Sequence, residues 1–521
     1  MINNIKFNKI KIIFIVVLLV IILFAGCIDI SEETNGPEKS KKDILVIAFF
    51  DNSSIYPYRL NSNNQLTIKP NIFNSLVEFD KNFKIIPALS ESWNNPNNLT
   101  WRFNLRKNVK FHNGNNFTAE DVKFSIDELF PSFSSFIDEV TILNNYTIEI
   151  KTKLPYPTLL SKLAQSFFVL SKKDVEESSD NWPIGTGAYK LVEYVENNYT
   201  KLERFDEYWG EKASIKTVIF KLIANDNERI KQLKVGTIDI AEYNVNESID
   251  EILENDNIKL VKFAPLSTYI IGFDLRKNNS YGFANGENPT ADIRVRKAIY
   301  HAINIEPLIN GPFQGLAIPA SQFTTYYIFG YNPEIERLPY DIEKAKNLLI
   351  EAGYEDGFEI EMDCITEMYD YNKENCRLIA EQLSEIGINV SLNEMSSDEF
   401  NQKVVIEKNT SLWLVGWGTI SVDGGVVYDY FIRTEGENYL GFYNSGYYSN
   451  SSVDLLGENA SIEMDSDLRQ KYLKEGFKIA VVDDVIIVPL FSQELFIFTS
   501  KNIDLEPRAD LKLIVEDINF I

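Results

Sequence analysis

The chain has 521 residues, with 51 Lys and Arg against 76 Asp and Glu and a formal net charge of −25 at pH 7. Its 45 % hydrophobic and 13 % aromatic content excludes global disorder, and its acidity excludes a groove that replaces phosphate counterions with Lys and Arg, so no nucleic acid is expected as a partner. Two histidines and three cysteines exclude a multi-histidine metal centre, a four-thiolate iron–sulfur protein and a disulfide scaffold, and neither a metal nor a cofactor is expected.

The first segment with a mechanism is the N-terminus. Lys6, Lys9 and Lys11 precede an unbroken apolar run from Ile12 to Gly26, the layout of an export signal over residues 1–26. The run ends in Phe24-Ala25-Gly26-Cys27, and small residues before a cysteine resemble a lipobox, in which Cys27 becomes lipidated and N-terminal. An uncleaved transmembrane anchor is the alternative, the run being slightly shorter than the roughly 17 to 25 residues of a span. Both place the remainder outside the membrane. Asp29 to Lys42 is polar, contains Gly36 and Pro37 and shows no apolar period, so residues 27–42 read as a flexible, lipid-anchored tether.

Asp43 to Phe50 is an apolar run of strand length. Trp101, Phe103 and Leu105 alternate with Arg102, Asn104 and Arg106 at period two, which predicts a strand with its aromatics on one buried face. After the turn at Asn113-Gly114, Thr118 caps a helix with Asp121 at its third position and Val122, Ile126 and Leu129 at helical spacing. The spacing of Val295, Ala298, Ile299, Ala302 and Ile303 predicts a helix over 292–309, with His301 off the apolar stripe and at the surface. His112 reads as a turn or core residue rather than a base.

Asp341 caps a helix carrying Ala345, Leu348, Leu349 and Ala352 on one face, and Gly353 stops it. Phe358 to Cys364, a helix with Ile379, Leu383 and Ile386, and Ile388 to Leu392 form a βαβ unit, which implies a parallel pair. Val485 to Leu490 is continuously apolar, as a central strand requires. The class is α/β with mixed sheets. In an exported chain Cys364 and Cys376 can pair in a disulfide, with two buried free thiols as the alternative. The sequons at Asn98, Asn145 and Asn450 are glycan acceptors or the by-product of an Asn-rich composition.

Catalytic signatures are missing: the sequence has no GxxxxGK[ST], HExxH or GxSxG, and Ser421 stands where a dinucleotide fingerprint beginning at Gly416 needs its last glycine. Carboxylate pairs of the glycosidase kind are the remaining catalytic alternative, but in so acidic a chain most of these groups form a solvated surface.

Several long motifs in fixed order carry a resemblance. Thr100 to Ser125 (TWRFNLRKNVKFHNGNNFTAEDVKFS) resembles the signature of the family 5 extracellular solute-binding proteins of ABC importers, which include oligopeptide, dipeptide and nickel-chelate receptors. PALSESW (Pro87 to Trp93), PIGTGAYKL (Pro183 to Leu191), RFDEYWG (Arg204 to Gly210), the stretch from Asn227 to Ile240, DIRVRKAIYHAIN (Asp292 to Asn304) and YDIEKAKNLLIEAGY (Tyr340 to Tyr354) follow in the family's order.

The resemblance implies a two-lobed periplasmic-binding-protein-like (type II, venus-flytrap) α/β fold with an extra subdomain in lobe one. Lobe one takes residues 43–70, 183–268 and 492–521, the subdomain 71–182 and lobe two 269–491, with a hinge near Tyr269 to Leu275 and Val485 to Phe491. The implied protein is a non-enzymatic, monomeric receptor on the outer face of the cytoplasmic membrane, extracellular or periplasmic, partnered by ABC permease and ATPase subunits. Its ligand is an oligopeptide or peptide-like solute. A nickel-chelate receptor is the alternative, and an exported enzyme or surface interaction protein on the same fold is the rival outside the class.

In the peptide-binding members an Asp three residues after a lobe-two Trp meets the peptide's amino terminus, and some carry a basic residue three before it. Here those positions are Ile420 and Leu414 around Trp417, while Asp423 matches a second acidic position and is a candidate partner for a ligand cation. Trp417 is expected as a cleft wall, with Gly416 and Gly418 letting backbone come close. The alternative is a core Trp with the glycines in a bend. Tyr56 and Tyr58 are expected as walls from lobe one.

Overall fold

A computed structural model describes residues 43–50, 65–177, 183–243, 248–277, 287–366, 370–418 and 422–521, and the counts below refer to these. Cys27, Tyr56, Tyr58 and Ile420 lie outside them.

Ile44–Phe49 forms because ILVIAF is β-prone and its Leu45 and Ile47 are fully buried. It lies inside a seven-stranded sheet whose order is Ile258–Lys262, Phe496–Ser500, Ile240–Glu242, Ile44–Phe49, Thr217–Leu222, Tyr199–Arg204 and Tyr189–Val195. Ile44–Phe49 is parallel to both neighbours and the outer pairs are antiparallel, so this first sheet is mixed.

The second sheet has six strands in the order Ala317–Pro319, Ile487–Gln493, Ser267–Phe273, Leu412–Gly418, Phe358–Ile365 and Ile388–Met395. The expected βαβ unit is present. Phe358–Ile365 and Ile388–Met395 pair in parallel, and helix Asp370–Ser384 crosses between them. Cys364 and Cys376 are disulfide-bonded, tying the first of these strands to its crossover helix. The neighbouring helix Ile342–Ala352 starts where Asp341 Oδ1 accepts the Lys344 N–H at 2.9 Å and stops at Gly353, whose φ of +87° an L side chain rarely adopts.

A third sheet, in the order Ser90–Asn97, Thr100–Leu105, Thr147–Thr152 and Ile137–Asn144, is wholly antiparallel. Trp101, Phe103 and Leu105 point to its buried face as their alternation predicts, and they share one hydrophobic core with Leu45, Ile47 and Phe220 of the first sheet.

The chain passes between the first and second sheets at residues 263–266 and again at 494–495. The segments expected as hinges, Tyr269 to Leu275 and Val485 to Phe491, lie largely within strands paired with their neighbours, beside these short connectors. The two connectors are tied together. Phe263 donates its N–H to the Leu495 carbonyl at 2.7 Å, and Lys262 Nζ lies 2.8 Å from Glu494 Oε2.

Two further expectations are corrected. The helix expected over 292–309 ends at Ala302, after which Ile303 is extended, and a second short helix runs Glu306–Asn310. Pro307 explains the break: in a continuous helix its ring would meet the Ile303 carbonyl and it has no N–H to give. His301 is not at the surface but 1 % exposed. Its Nδ1 lies 2.7 Å from the Pro339 carbonyl, and its own carbonyl accepts the Asp341 N–H, so the segment leading into the next helix covers it. The stripe is wider than period alone suggested because Arg296, Tyr300 and His301 are buried with the apolar residues.

Candidate functional site

Strand Leu412–Gly418 reads LWLVGWG and is buried along its first half and open at its end. Leu414 belongs to the apolar core beneath the second sheet, so the position three before Trp417 faces the interior. Gly416 and Gly418 are exposed on one side, and neighbouring strand Ser267–Phe273 crowds both positions. A Cβ on Gly416 would lie 2.7 Å from the Tyr269 ring and one on Gly418 2.6 Å from Ser267 Oγ.

Trp417 is half-buried. Its ring sits 4.6 Å from Phe431 at a steep angle and 4.7 Å from Tyr443, while Phe431 and Tyr443 stack at 5.2 Å. Such offset and edge-on arrangements each contribute about 0.5–1.5 kcal/mol beyond burial. The indole Nε1 is buried without an oxygen or nitrogen partner among the described residues.

Asp423 caps the helical turn Gly424–Val427, accepting the Gly425 N–H at 2.8 Å, and is 5 % exposed. Its carboxylate is bidentate to the Arg469 guanidinium, at 2.6 and 2.7 Å. Arg469 also donates Nε to the Ala460 carbonyl at 2.9 Å and lies over the Phe329 ring. The charge singled out for a ligand cation is thus engaged within the protein. Asp429, one turn on, is pushed up to about 6 by burial, against the pull of Arg433 and Arg469 and with the push of Asp423.

This segment spans two cores. Val422 packs into the core shared by the first and third sheets, whereas Val427, Tyr428 and Phe431 pack under the second. Burial raises the pKa of Tyr156, which follows the last strand of the third sheet in sequence, and nearby Asp423 and Tyr430 raise it further. Phe83 and Tyr327 make a ring contact at 6.5 Å. Sequence reasoning missed Tyr156, Tyr430, Phe431 and Tyr443. In a chain with 26 tyrosines and 34 phenylalanines nothing local distinguishes them.

The arrangement offers aromatic planes. Among the described residues no group of three His, Cys, Asp or Glu is placed to hold a metal ion.

The profile described as "Bacterial extracellular solute-binding proteins, family 5 Middle" matches residues 84–439. The dipeptide-binding protein of Escherichia coli (strain K12) is 27 % identical over 386 residues, which cover 66 % of this chain and 70 % of that one. The nickel-binding protein NikA of Staphylococcus aureus is 26 % identical over 490 residues, covering 92 % of each. Among solved structures, HbpA2 from Haemophilus parasuis superposes with a TM-score of 0.81 at 22 % identity, covering 92 % of this chain and all of that one.

Proposed function

The chain belongs to the family 5 extracellular solute-binding proteins of ABC importers, with their two-lobed type II α/β fold, and from that premise we propose that it captures peptides or peptide-like solutes. As a member it is a transport receptor and not an enzyme. The observation that carries the ligand reading is the placement of Trp417, Phe431 and Tyr443 at the open end of a second-sheet strand, in a segment that also packs against the body of the first sheet.

In this proposal lobe one is 43–70, 183–268 and 492–521, its subdomain 71–182 and lobe two 269–491. The connectors at 263–266 and 494–495 let the lobes close on the solute, expelling water and presenting a distinct shape to the permease. Trp417, with Gly416 and Gly418, forms the lobe-two wall, and Tyr56 and Tyr58 form the opposite one. Asp423 anchors the turn beyond Trp417 through Arg469 and does not meet a ligand cation. Cys27 carries the lipid that holds the monomeric receptor outside the membrane. A relative named as a dipeptide-binding protein supports the peptide reading, and one named as a nickel-binding protein supports its alternative.

The test uses the chain from Ile28 onward, with native mass spectrometry for a retained ligand followed by thermal-shift titration with di- to pentapeptides and with nickel–histidine. A ligand at 100 times its Kd raises stability by about 2.7 kcal/mol. Stabilisation by peptides, weakened at least tenfold in Trp417→Ala, is expected. A response to the nickel chelate alone would replace the peptide reading.

A further inference from the structure

Three β-hairpin tips repeat one local sequence. Asn97-Asn98-Leu99-Thr100 joins Ser90–Asn97 to Thr100–Leu105, and Asn144-Asn145-Tyr146-Thr147 joins Ile137–Asn144 to Thr147–Thr152. Asn197-Asn198-Tyr199-Thr200 closes the pair Tyr189–Val195 and Tyr199–Arg204. In each doublet the first Asn does the turn's backbone work. Asn97 Oδ1 accepts the Leu99 N–H at 3.0 Å, Asn144 Oδ1 accepts the Tyr146 N–H at 2.9 Å, and Asn197 takes a left-handed φ of +58°.

The second Asn does none of this. Asn98, Asn145 and Asn198 have no positive φ, are exposed, and have no side-chain hydrogen bond among the described residues. Turn chemistry accounts for the side chain or φ of the first residue of each doublet. The second contributes backbone only, as where the Asn198 N–H donates to the Val195 carbonyl at 3.0 Å, and its side chain, with a Thr two positions on, is unexplained. An exposed Asn with an idle amide in an Asn-x-Thr frame is open to oligosaccharyl transfer in an exported chain. A composition rich in Asn supplies sequons, but it does not by itself place an unengaged one in three hairpin tips, at the first loop position between Asn97 and Thr100 and between Asn144 and Thr147, and at the last loop position between Val195 and Tyr199.

We infer that Asn98, Asn145 and Asn198 carry N-linked glycans, an inference that rests on the export reading above. In the transfer, Asn Nδ2 forms a bond to the anomeric carbon of an oligosaccharide borne on a polyprenyl phosphate or pyrophosphate. The anomeric carbon–oxygen bond to phosphate breaks, the lipid phosphate leaves, and the amide proton passes to a base of the transferase, with no change of oxidation state.

Asn450-Ser451-Ser452 is one contrasting sequon among others in the chain. Its Oδ1 accepts the Ser452 N–H and its Nδ2 donates to Asp484 Oδ2, both at 3.0 Å, so this amide is occupied and stays unmodified. The three proposed acceptors also share a place in the topology. Each lies at the tip beside an outermost strand: Ser90–Asn97 and Ile137–Asn144 edge the third sheet and Tyr189–Val195 edges the first. A bulky, hydrated group there shields open backbone from pairing with another chain.

The test takes the protein from the cells that make it. Protease added to cells stripped to their cytoplasmic membrane reports whether the chain is outside it, and tandem mass spectrometry of its peptides reports each Asn. Expected are a shaved chain, sugar-series mass increments on the peptides bearing Asn98, Asn145 and Asn198, and a bare peptide bearing Asn450. Asn98→Gln should remove one glycan step from the intact mass while Asn97→Gln keeps it. A shaved chain with three bare peptides overturns this inference alone. A chain protected from protease with bare peptides overturns it together with the export reading.

Discussion

Protonating His112 should unfold the junction between the third sheet's body and the first sheet, at a cost set by the bonds of its ring. Nε2 lies 3.0 Å from the Gly187 carbonyl and Nδ1 accepts the Gly185 N–H at 3.3 Å, so the ring is neutral with its proton on Nε2. A second proton on Nδ1 would point at the Gly185 N–H. Burial, partly opposed by the Gly187 bond, lowers the pKa from 6.5 to about 4.

The unfolded chain therefore binds this proton first, and the stability associated with the neutral ring is whole above about pH 6.5 and lost as pH falls toward 4. At 1.36 kcal/mol per unit, a shift of this size implies a loss of about 2–3 kcal/mol between pH 7.5 and 4.5. Asp429 and Glu516, raised to about 6 and about 7, act in the opposite sense, because folding favours their protonated forms. The quantity to measure is thus a difference. Urea denaturation followed by circular dichroism at pH 7.5, 6.0, 5.0 and 4.5 should show the wild type losing about 2–3 kcal/mol relative to His112→Gln, whose amide keeps the donation to Gly187 and does not titrate. Parallel curves for the two proteins across that range would refute the reasoning.

Two more perturbations separate structural from ligand roles. Reducing the Cys364–Cys376 bond, or replacing both residues by Ala, frees a loop of about 13 residues and should cost about 3 kcal/mol in urea denaturation, with no loss in the unreduced control. Asp423→Asn leaves the Arg469 charge buried without its carboxylate and should destabilise the fold by about 3–5 kcal/mol. Where it still folds, calorimetric titration should show cationic and neutral ligands weakened alike, and a loss confined to the cationic ones would return Asp423 to the ligand site.

The elements legible in the sequence are those whose cause is local. Strand Thr100–Leu105 follows from a period of two, helix Ile342–Ala352 from the Asp341 cap and the Gly353 stop, and the parallel pair of the βαβ unit from strand, helix and strand in succession. The family signature is likewise a matter of residue order along the chain. What tertiary structure decided is who meets whom across long separations. Asp423 looked available for a ligand until Arg469, 46 residues on, proved to bind it. His301 left the surface because the segment before the next helix folds over it. Trp417 stood out by its motif, but the Phe431 and Tyr443 rings that orient it come from a separate stretch of chain. Periodicity and capping energies depend on neighbours a few positions away and can be read in one dimension. The burial of a charge and the wall of a cleft depend on which distant groups replace water, and only the folded chain specifies those.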